Sequence, residues 1–388
     1  MWLILFYLLP LAGITYIGWH VWTLLPLHWI WKIAVLLLGI LCLSCLFINF
    51  SRKTDTLPLP AAQLIYEIGT SSIFIMLYLV MLFLLLDLGR IVHLIPRSCL
   101  YANWYTFAGI CVFLFGIFLY GNLHYKHKVR VPLELSTSKP LPKDYKIVML
   151  SDLHLGYHNP RSEFARWIDL INAERPNLIL IAGDIIDFSI HPLIEEDMAT
   201  EFHRLQAPVY ACLGNHEYYS GSPKAQQFYR DAGIHLLSDT CALIDNSLVI
   251  IGRDDRTNLH RKSVKELASS INQSHFTILL DHQPYNLELA EQAHIDFQFS
   301  GHTHRGQIWP ISWITDAIYE CSWGPHQRGL THYYISSGLG IWGGKFRIGT
   351  QSEYVVATIH SEKWPKDAHD RREKTKYKQT EKTNNESN

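Results

Sequence analysis

Apolar residues fill the first third of the chain in long runs. A hydrocarbon core needs about 20 such residues in a row. Four stretches meet that length: Trp2 to about Leu24, Ile33 to Phe50, Ile68 to Leu86, and about Trp104 to Leu123. Between Met1 and Phe50 the only Asp, Glu, Lys or Arg is Lys32. The breaks hold Pro26, then Ser51-Arg52-Lys53 with Pro58 and Pro60, then Arg90 to Pro96-Arg97. Trp22, Trp29, Trp31, Trp104 and Tyr105 lie near the ends of the runs, where amphipathic rings favour the membrane interface. From Tyr145 to about His360 the pattern changes. Short apolar runs there alternate with amphipathic stretches, as in an α/β domain. Lys146–Leu150, Leu178–Ala182, Val209–Leu213, Leu248–Ile251, Thr277–Leu280 and Ile295–Phe299 are expected strands. Ser162–Ala173 is an expected helix, with Phe164, Trp167, Ile168 and Ile171 on one face.

This pattern divides the chain into a transmembrane region with four helices (1–125), a linker (126–145), an α/β domain (146–360) and a charged tail (361–388). The tail is nearly free of aliphatic residues and is expected to be disordered. The first span has no basic segment before it and a second span follows at once, so it reads as an anchor and not a cleaved leader. Arg52, Lys53, Lys126, Lys128 and Arg130 flank one side of the spans, against Arg90 and Arg97 with Lys32 on the other. The chain is expected to be a multi-pass membrane protein, and the positive-inside bias places its N-terminus and large C-terminal domain in the cytoplasm. Polar residues within the spans have plain readings. Thr70, Ser71 and Ser72 bond to the preceding turn or across helices, and Asp87 with Arg90 marks a helix end. Cys42-Leu43-Ser44-Cys45 has redox spacing but sits in an apolar helix, and seven scattered cysteines make no disulfide framework.

The formal net charge is −1 over 388 residues. No basic groove stands out, so a nucleic-acid partner is not expected. The chemistry lies just after the strands. They lead into Ser151-Asp152-Leu153-His154, Gly183-Asp184-Ile185-Ile186-Asp187, Gly214-Asn215-His216-Glu217, Asp281-His282-Gln283-Pro284 and Gly301-His302-Thr303-His304-Arg305-Gly306-Gln307. Each has a plain reading by itself: a turn, a helix N-cap, a left-handed asparagine. In α/β sheets, however, ligands bind beyond the carboxyl ends of the strands, so five such loops converge on one edge. Carboxylate, amide and imidazole donors without cysteine suit Mn, Fe or Zn in a catalytic site.

This ordered series resembles the calcineurin-like metallophosphoesterases: DxH (Asp152, His154), GDxxD (Asp184, Asp187), GNHE (Asn215, His216, Glu217), a lone His282, and GHxH (His302, His304). The phrases around Gly301–Gln307, His282-Gln283-Pro284, Gly338-Leu339-Gly340 and Arg347-Ile348-Gly349 look like its membrane-attached bacterial branch. Some members of that branch hydrolyse the pyrophosphate of a UDP-diacylglucosamine. Arg305 departs from the pattern, since the branch usually has Gly there. The resemblance implies a domain with a central β-sandwich flanked by helices and two divalent metal ions, with Mn the favoured identity. Asp152, His154, Asp184 and His304 would hold the first ion, and Asp184, Asn215, His282 and His302 the second. Such a pair clamps a phosphoryl oxygen and activates a hydroxide. His216 would stabilise the transition state or protonate the leaving oxygen, oriented by Asp187.

The expectation is therefore a membrane-embedded two-metal phosphoesterase. Its substrate would be a phosphodiester or pyrophosphate in a phosphorylated, lipid-linked compound, and its surroundings the lipid bilayer. The alternative is a membrane sensor or scaffold whose phosphoesterase-like domain only binds. Arg253, Lys345 and Arg347 are candidates to pair with substrate phosphate, or ordinary solvated charges. Gly338 to Lys345 reads as a phosphate cradle or a simple turn. Trp309, Trp313, Trp323 and Trp342 would suit an acyl entrance or ordinary packing.

Overall fold

The computed structural model describes residues 8–361. The expected start of the first span, at Trp2, and the expected tail from residue 362 onward lie outside the described residues. Helices α1 (Leu9–Leu24), α2 (Trp29–Phe50), α3 (Leu59–Ile91) and α4 (Trp104–Lys126) form the N-terminal part. The last three are long and apolar enough to cross a membrane. The sequence places the third span at Ile68–Leu86, but α3 has 33 residues, or about 50 Å of helix. That exceeds the roughly 30 Å hydrocarbon core. Gln63 and Glu67 interrupt the apolar run without ending the helix, because its first turns rest on protein: Gln63 Nε2 donates to Glu196 Oε1 at 3.3 Å.

The stretch expected as a linker contains a strand. β1 (Lys128–Thr137) pairs in parallel with β12 (Ser352–Ser361) along its whole length. Val129, Val131, Leu133 and Leu135 alternate with more exposed residues, the period-two signature of a half-buried strand. Pro132 and the flanking charges disguise it, and Pro is tolerated on a sheet edge. β12 likewise runs on to Ser361, one residue past the expected domain end.

Between these two strands come β2 (Tyr145–Leu150), α5 (Arg161–Ala173), β3 (Leu178–Ala182), α6 (His191–Glu195), α7 (Met198–Phe202), β4 (Val209–Cys212), α8 (Asn215–Ser220), α9 (Ser222–Asp231) and β5 (His235–Leu236). β6 (Thr240–Ile244), β7 (Leu248–Gly252), α10 (Val264–Ser269), β8 (Phe276–Leu280), α11 (Glu288–Gln292), β9 (Phe297–Ser300), α12 (Ile311–Ile318), β10 (Gly324–Arg328) and β11 (Thr331–Ile335) follow. Two mixed sheets result, in the orders β1-β12-β2-β3-β4-β5 and β10-β11-β9-β8-β7-β6. Side chains of both sheets, among them Ile147, Leu180, Val355, Ile250, Ile278 and Phe299, fall in one buried cluster. The other face of the first sheet is covered by α5 and α9 through Phe164, Trp167 and Phe228. α10 and α11 cover the second through Leu267 and Ala290. Both sheets are covered on both faces, which is why β2, β3, β7 and β8 read as continuous apolar runs.

Candidate metal centre

The loops after β2, β3, β4, β8 and β9 meet at one edge, as their sequence order implies. Asp152, His154, Asp184, His302 and His304 all have left-handed backbone, with φ between 43° and 71°. This conformation is uncommon for non-glycine residues and collects at functional sites. Two glycines make the crowding possible. A Cβ on Gly301 would lie 2.2 Å from Asp152 Oδ2, and one on Gly214 2.2 Å from Asp184 Oδ1.

Among the described residues three groups could hold a cation: Asp152 with His154 and His304, His154 with Asp184 and His216, and Asp184 with His282 and His302. Asp184 Oδ2 lies 3.1 Å from His282 Nε2 and 3.8 Å from His154 Nε2, so one carboxylate serves both halves of the site. His304 Nε2 is 3.0 Å from His154 Nε2 and 3.4 Å from Asp152 Oδ1. Asn215 Oδ1 lies 3.2 Å from His282 Nε2. All seven sequence-derived ligand candidates thus come together.

The hydrogen bond behind His282 sets its tautomer. His282 Nδ1 lies 2.7 Å from the Ala182 carbonyl, which can only accept, so this nitrogen carries the proton. In a neutral ring Nε2 then aims a lone pair at two further acceptors, Asp184 Oδ2 and Asn215 Oδ1. A cation relieves that conflict, and carbonyl-backed histidine is the usual metal-site arrangement. Burial opposes a second proton on His282, yet Asp184 overrides it and draws the ring toward the charged form. The site calls for positive charge at that point. Burial and the neighbouring His282 push His302 down to about 4; burial and His154 likewise depress His304. Both rings are therefore neutral donors at neutral pH. Their buried Nδ1 atoms have no hydrogen-bond partner among the described residues. The residues present fit a pair of divalent cations.

Asp187 serves two histidines. Its Oδ1 faces His154 Nδ1 at 3.1 Å, and its backbone carbonyl takes His216 Nδ1 at 3.1 Å, with Oδ1 a further 3.5 Å from that nitrogen. Its contact to His216 is thus chiefly through the main chain. Burial holds His216 below its ordinary range, despite the pull of Asp184.

Other residues named from the sequence have roles at the site that the sequence did not reveal. Glu217 accepts backbone N–H groups of Gly214, Asp184 and Ile186 at 2.7, 3.0 and 3.0 Å, tying two ligand loops together; its place beside His216 was the available signal. Burial, then Asp184, raises its carboxyl to about 7. Arg347 is fully buried. It donates to the carbonyls of His304 and Gly340 at 2.8 and 3.1 Å, to that of Ser337, and to Ser352 Oγ at 3.2 Å. It clamps loops, its donors committed to protein acceptors. Arg253 is likewise engaged with Asp281 at 2.9 Å, and Lys345 with Glu163 at 3.1 Å. Arg305 stacks its guanidinium 4.1 Å from the Trp323 ring centroid. Above the ligands opens a cavity of about 360 Å³, lined by His216, His302, Ile311, Tyr319, Trp342 and, from helix α3, Phe74.

The family described as calcineurin-like phosphoesterase matches residues 145–306, ending just past His304. The chain is similar to a protein of Campylobacter jejuni named an uncharacterized metallophosphoesterase, at 32% identity over 229 residues. These are 58% of this chain and 61% of that protein, so the match spans about three fifths of that relative. A metallophosphoesterase of Aquifex aeolicus is 30% identical over 244 residues, covering 60% of this chain and 92% of the relative. A Bos taurus protein named as a transmembrane protein with metallophosphoesterase domain is 28% identical over 241 residues, covering 57% and 54%.

Proposed function

Because this chain belongs to the calcineurin-like phosphoesterases, we propose that it is a membrane-embedded hydrolase of phosphodiester or pyrophosphate bonds. It would use two divalent cations, Mn by preference. The observation that carries this reading is the lone-pair conflict at His282, Asp184 and Asn215, a site short of positive charge. Asp152, His154, Asp184 and His304 would hold one cation, and Asp184, Asn215, His282 and His302 the other. When bound, such a pair supplies Lewis acidity and a water nucleophile usable at neutral pH.

The remaining work falls to the chain. Asp187 fixes the tautomers of His154 and His216 through its carboxylate and carbonyl. Burial keeps the resting His216 ring neutral, and an anionic phosphate beside it favours the protonated form. His216 would thus gain its proton as substrate binds and pass it from Nε2 to the leaving oxygen. Phe74 and Trp342, lining the cavity above the ligands, would limit water access.

The substrate we favour is a phosphorylated, nucleotide-linked lipid of the UDP-diacylglucosamine kind. Its support is a cavity walled partly by α3, a candidate membrane helix. We read α1 as a fourth span, since its end pairs with the loop before α4: the Ala102 and Asn103 N–H groups donate to the Thr23 and Leu24 carbonyls at 2.9 Å. The α2–α3 connection faces the domain, where Tyr157 donates to Asp55 at 2.7 Å. Arg52 and Lys53 therefore lie on the domain's side of the membrane, which supports a cytoplasmic catalytic domain by the positive-inside bias. The domain would run from residue 146 to 360 as a two-sheet sandwich, after spans within 1–125. A silent scaffold is not favoured, because no ligand position of the series is missing.

The test uses the purified full chain with manganese and bis-p-nitrophenyl phosphate. Metal-dependent turnover absent from Asp184→Asn supports the reading. No turnover with manganese, iron or zinc across diester and pyrophosphate substrates overturns it.

A further inference from the structure

One helix of the domain turns its apolar side outward. On α12, Trp313, Ile314 and Ile318 are 65%, 56% and 60% exposed, and Trp309 just before it is partly exposed. Ser312 on the same helix is buried, and Ile311, Thr315 and Tyr319 face the catalytic cavity. A helix on a water-facing surface ordinarily presents polar residues outward. The one carboxylate of α12, Asp316, is exposed beside this face and accepts from the Ser322 hydroxyl. The outer face is left with two tryptophans in edge-on contact, ring centroids 5.3 Å apart, and two isoleucines.

Two ties fix where this face lies. Tyr78 of α3 donates its hydroxyl to the Trp309 carbonyl at 2.8 Å. Ile311 packs in one cluster with Leu77 of α3 and with Leu114, Ile117 and Phe118 of α4. Tyr78 precedes the far end of α3, Ile91, by thirteen residues, or about 20 Å of helix. Phe118 is fourteen residues from the far end of α4, Trp104, again about 20 Å. The hydrocarbon core is roughly 30 Å thick, and helix tilt only brings these residues closer to the far boundary. With α3 and α4 read as spans whose ends at Ile91 and Trp104 mark the far boundary, α12 is anchored at a depth inside the near face of the core.

We infer that α12 is an in-plane lipid-binding helix, with Trp309, Trp313, Ile314 and Ile318 seated in the headgroup and upper acyl region of the leaflet next to the catalytic domain. Surface-seated helices bury their apolar face by about 5–10 Å, and tryptophan favours that zone. The catalytic cavity then opens at the lipid surface, with α12 as its sill. The inference rests on the proposed spanning role of α2 to α4.

The test places an environment-sensitive fluorophore on single introduced cysteines in the full chain. Exposed Cys111 and Cys241 are first replaced by serine, and the protein is reconstituted in phosphatidylcholine–phosphatidylglycerol nanodiscs carrying acyl-chain nitroxides. Ile314→Cys reports on α12. Leu41→Cys, exposed on α2, reports on the spans, and Leu330→Cys, exposed beyond β10, reports on water. Positions 314 and 41 should lose most of their emission to nitroxide lipid, while position 330 is quenched only by aqueous iodide. If 41 is quenched and 314 behaves like 330, the inference falls and the spanning reading survives. If 314 is shielded from both quenchers, protein covers the face, a second copy included, and the lipid assignment is wrong. If 41 is not quenched either, both readings fall together.

Discussion

The hydroxyl of Tyr66, in the domain-facing turns of α3, donates to Asp187 Oδ2 at 2.5 Å across 121 residues of sequence. Its ring stacks on His158, with centroids 5.0 Å apart and an interplanar angle of 14°. The other oxygen of the same carboxylate faces His154 Nδ1. A candidate membrane helix is thereby wired to a candidate metal ligand through a single carboxylate. Partners one step behind a ligand are typically worth 10–100-fold in metal affinity or activity. Tyr66→Phe should therefore weaken manganese binding about tenfold while the protein remains folded. Calorimetric titration of the metal-free protein reads this directly. Wild-type affinity and turnover in Tyr66→Phe would mean that α3 merely packs there.

That bond could not be read from the sequence, whereas the candidate ligands could be picked out there. Asp152, Asp184, Asn215, His282 and His302 each follow an apolar run within a few residues, so local pattern and strand direction suffice to gather them. Tyr66 lies in an apolar run whose period carries no mark of what its hydroxyl meets. Arg347 shows the same limit. Its charge suggested substrate phosphate or solvent, but its partners are carbonyls of loops near in space and scattered in sequence. β1 was missed for a different reason, because Pro132 and alternating charges weakened a pattern that its pairing with β12 makes decisive.

Gly301→Ala tests how little room the ligand loop has. The added Cβ would sit 2.2 Å from Asp152 Oδ2 and 2.6 Å from Ser151 Cβ and Oγ, on a loop whose His302 N–H donates to Asp152. Something must move, and the Asp152–His302 junction is the nearest thing. The variant should lose about half of its bound manganese, because one ion of the proposed pair would depend on Asp152. Elemental analysis of the purified protein measures it. Full metal content would show that the loop relaxes without harming the site.

Arg305→Gly asks whether this arginine touches substrate. Its guanidinium is committed to Trp323, an interaction worth about 0.5–1 kcal/mol when exposed and more when desolvated. Its backbone has φ 47°, which glycine adopts without strain. The two effects oppose each other. The melting temperature should change little, and kcat and KM for bis-p-nitrophenyl phosphate should stay within about twofold. A large rise in KM with unchanged kcat would make Arg305 a substrate contact after all.

The ion pair of Glu163 and Lys345 should make stability depend on acid. Glu163 on α5 meets Lys345 Nζ at 3.1 Å, in the loop that continues toward Arg347. Burial alone would raise the Glu163 carboxyl, but Lys345 and then Lys128 outweigh it and hold the group below its ordinary range. A carboxyl depressed in the folded state stabilises the fold above its unfolded value, near pH 4.3. That contribution fades as pH falls through the lower, folded value. Glu163→Gln removes the charge and leaves the partly buried Lys345 ammonium to the more distant, exposed Glu67 carboxylate, at 3.8 Å. The loss should be about 3 kcal/mol at pH 7, the scale for breaking one partner of a buried pair. The gap between variant and wild type should narrow as the medium is taken from pH 7 to about pH 3.5. Thermal unfolding in detergent micelles across that range measures both. Parallel curves would show that the carboxylate contributes nothing specific, and a gap that widens toward acid would reverse the sign of the argument.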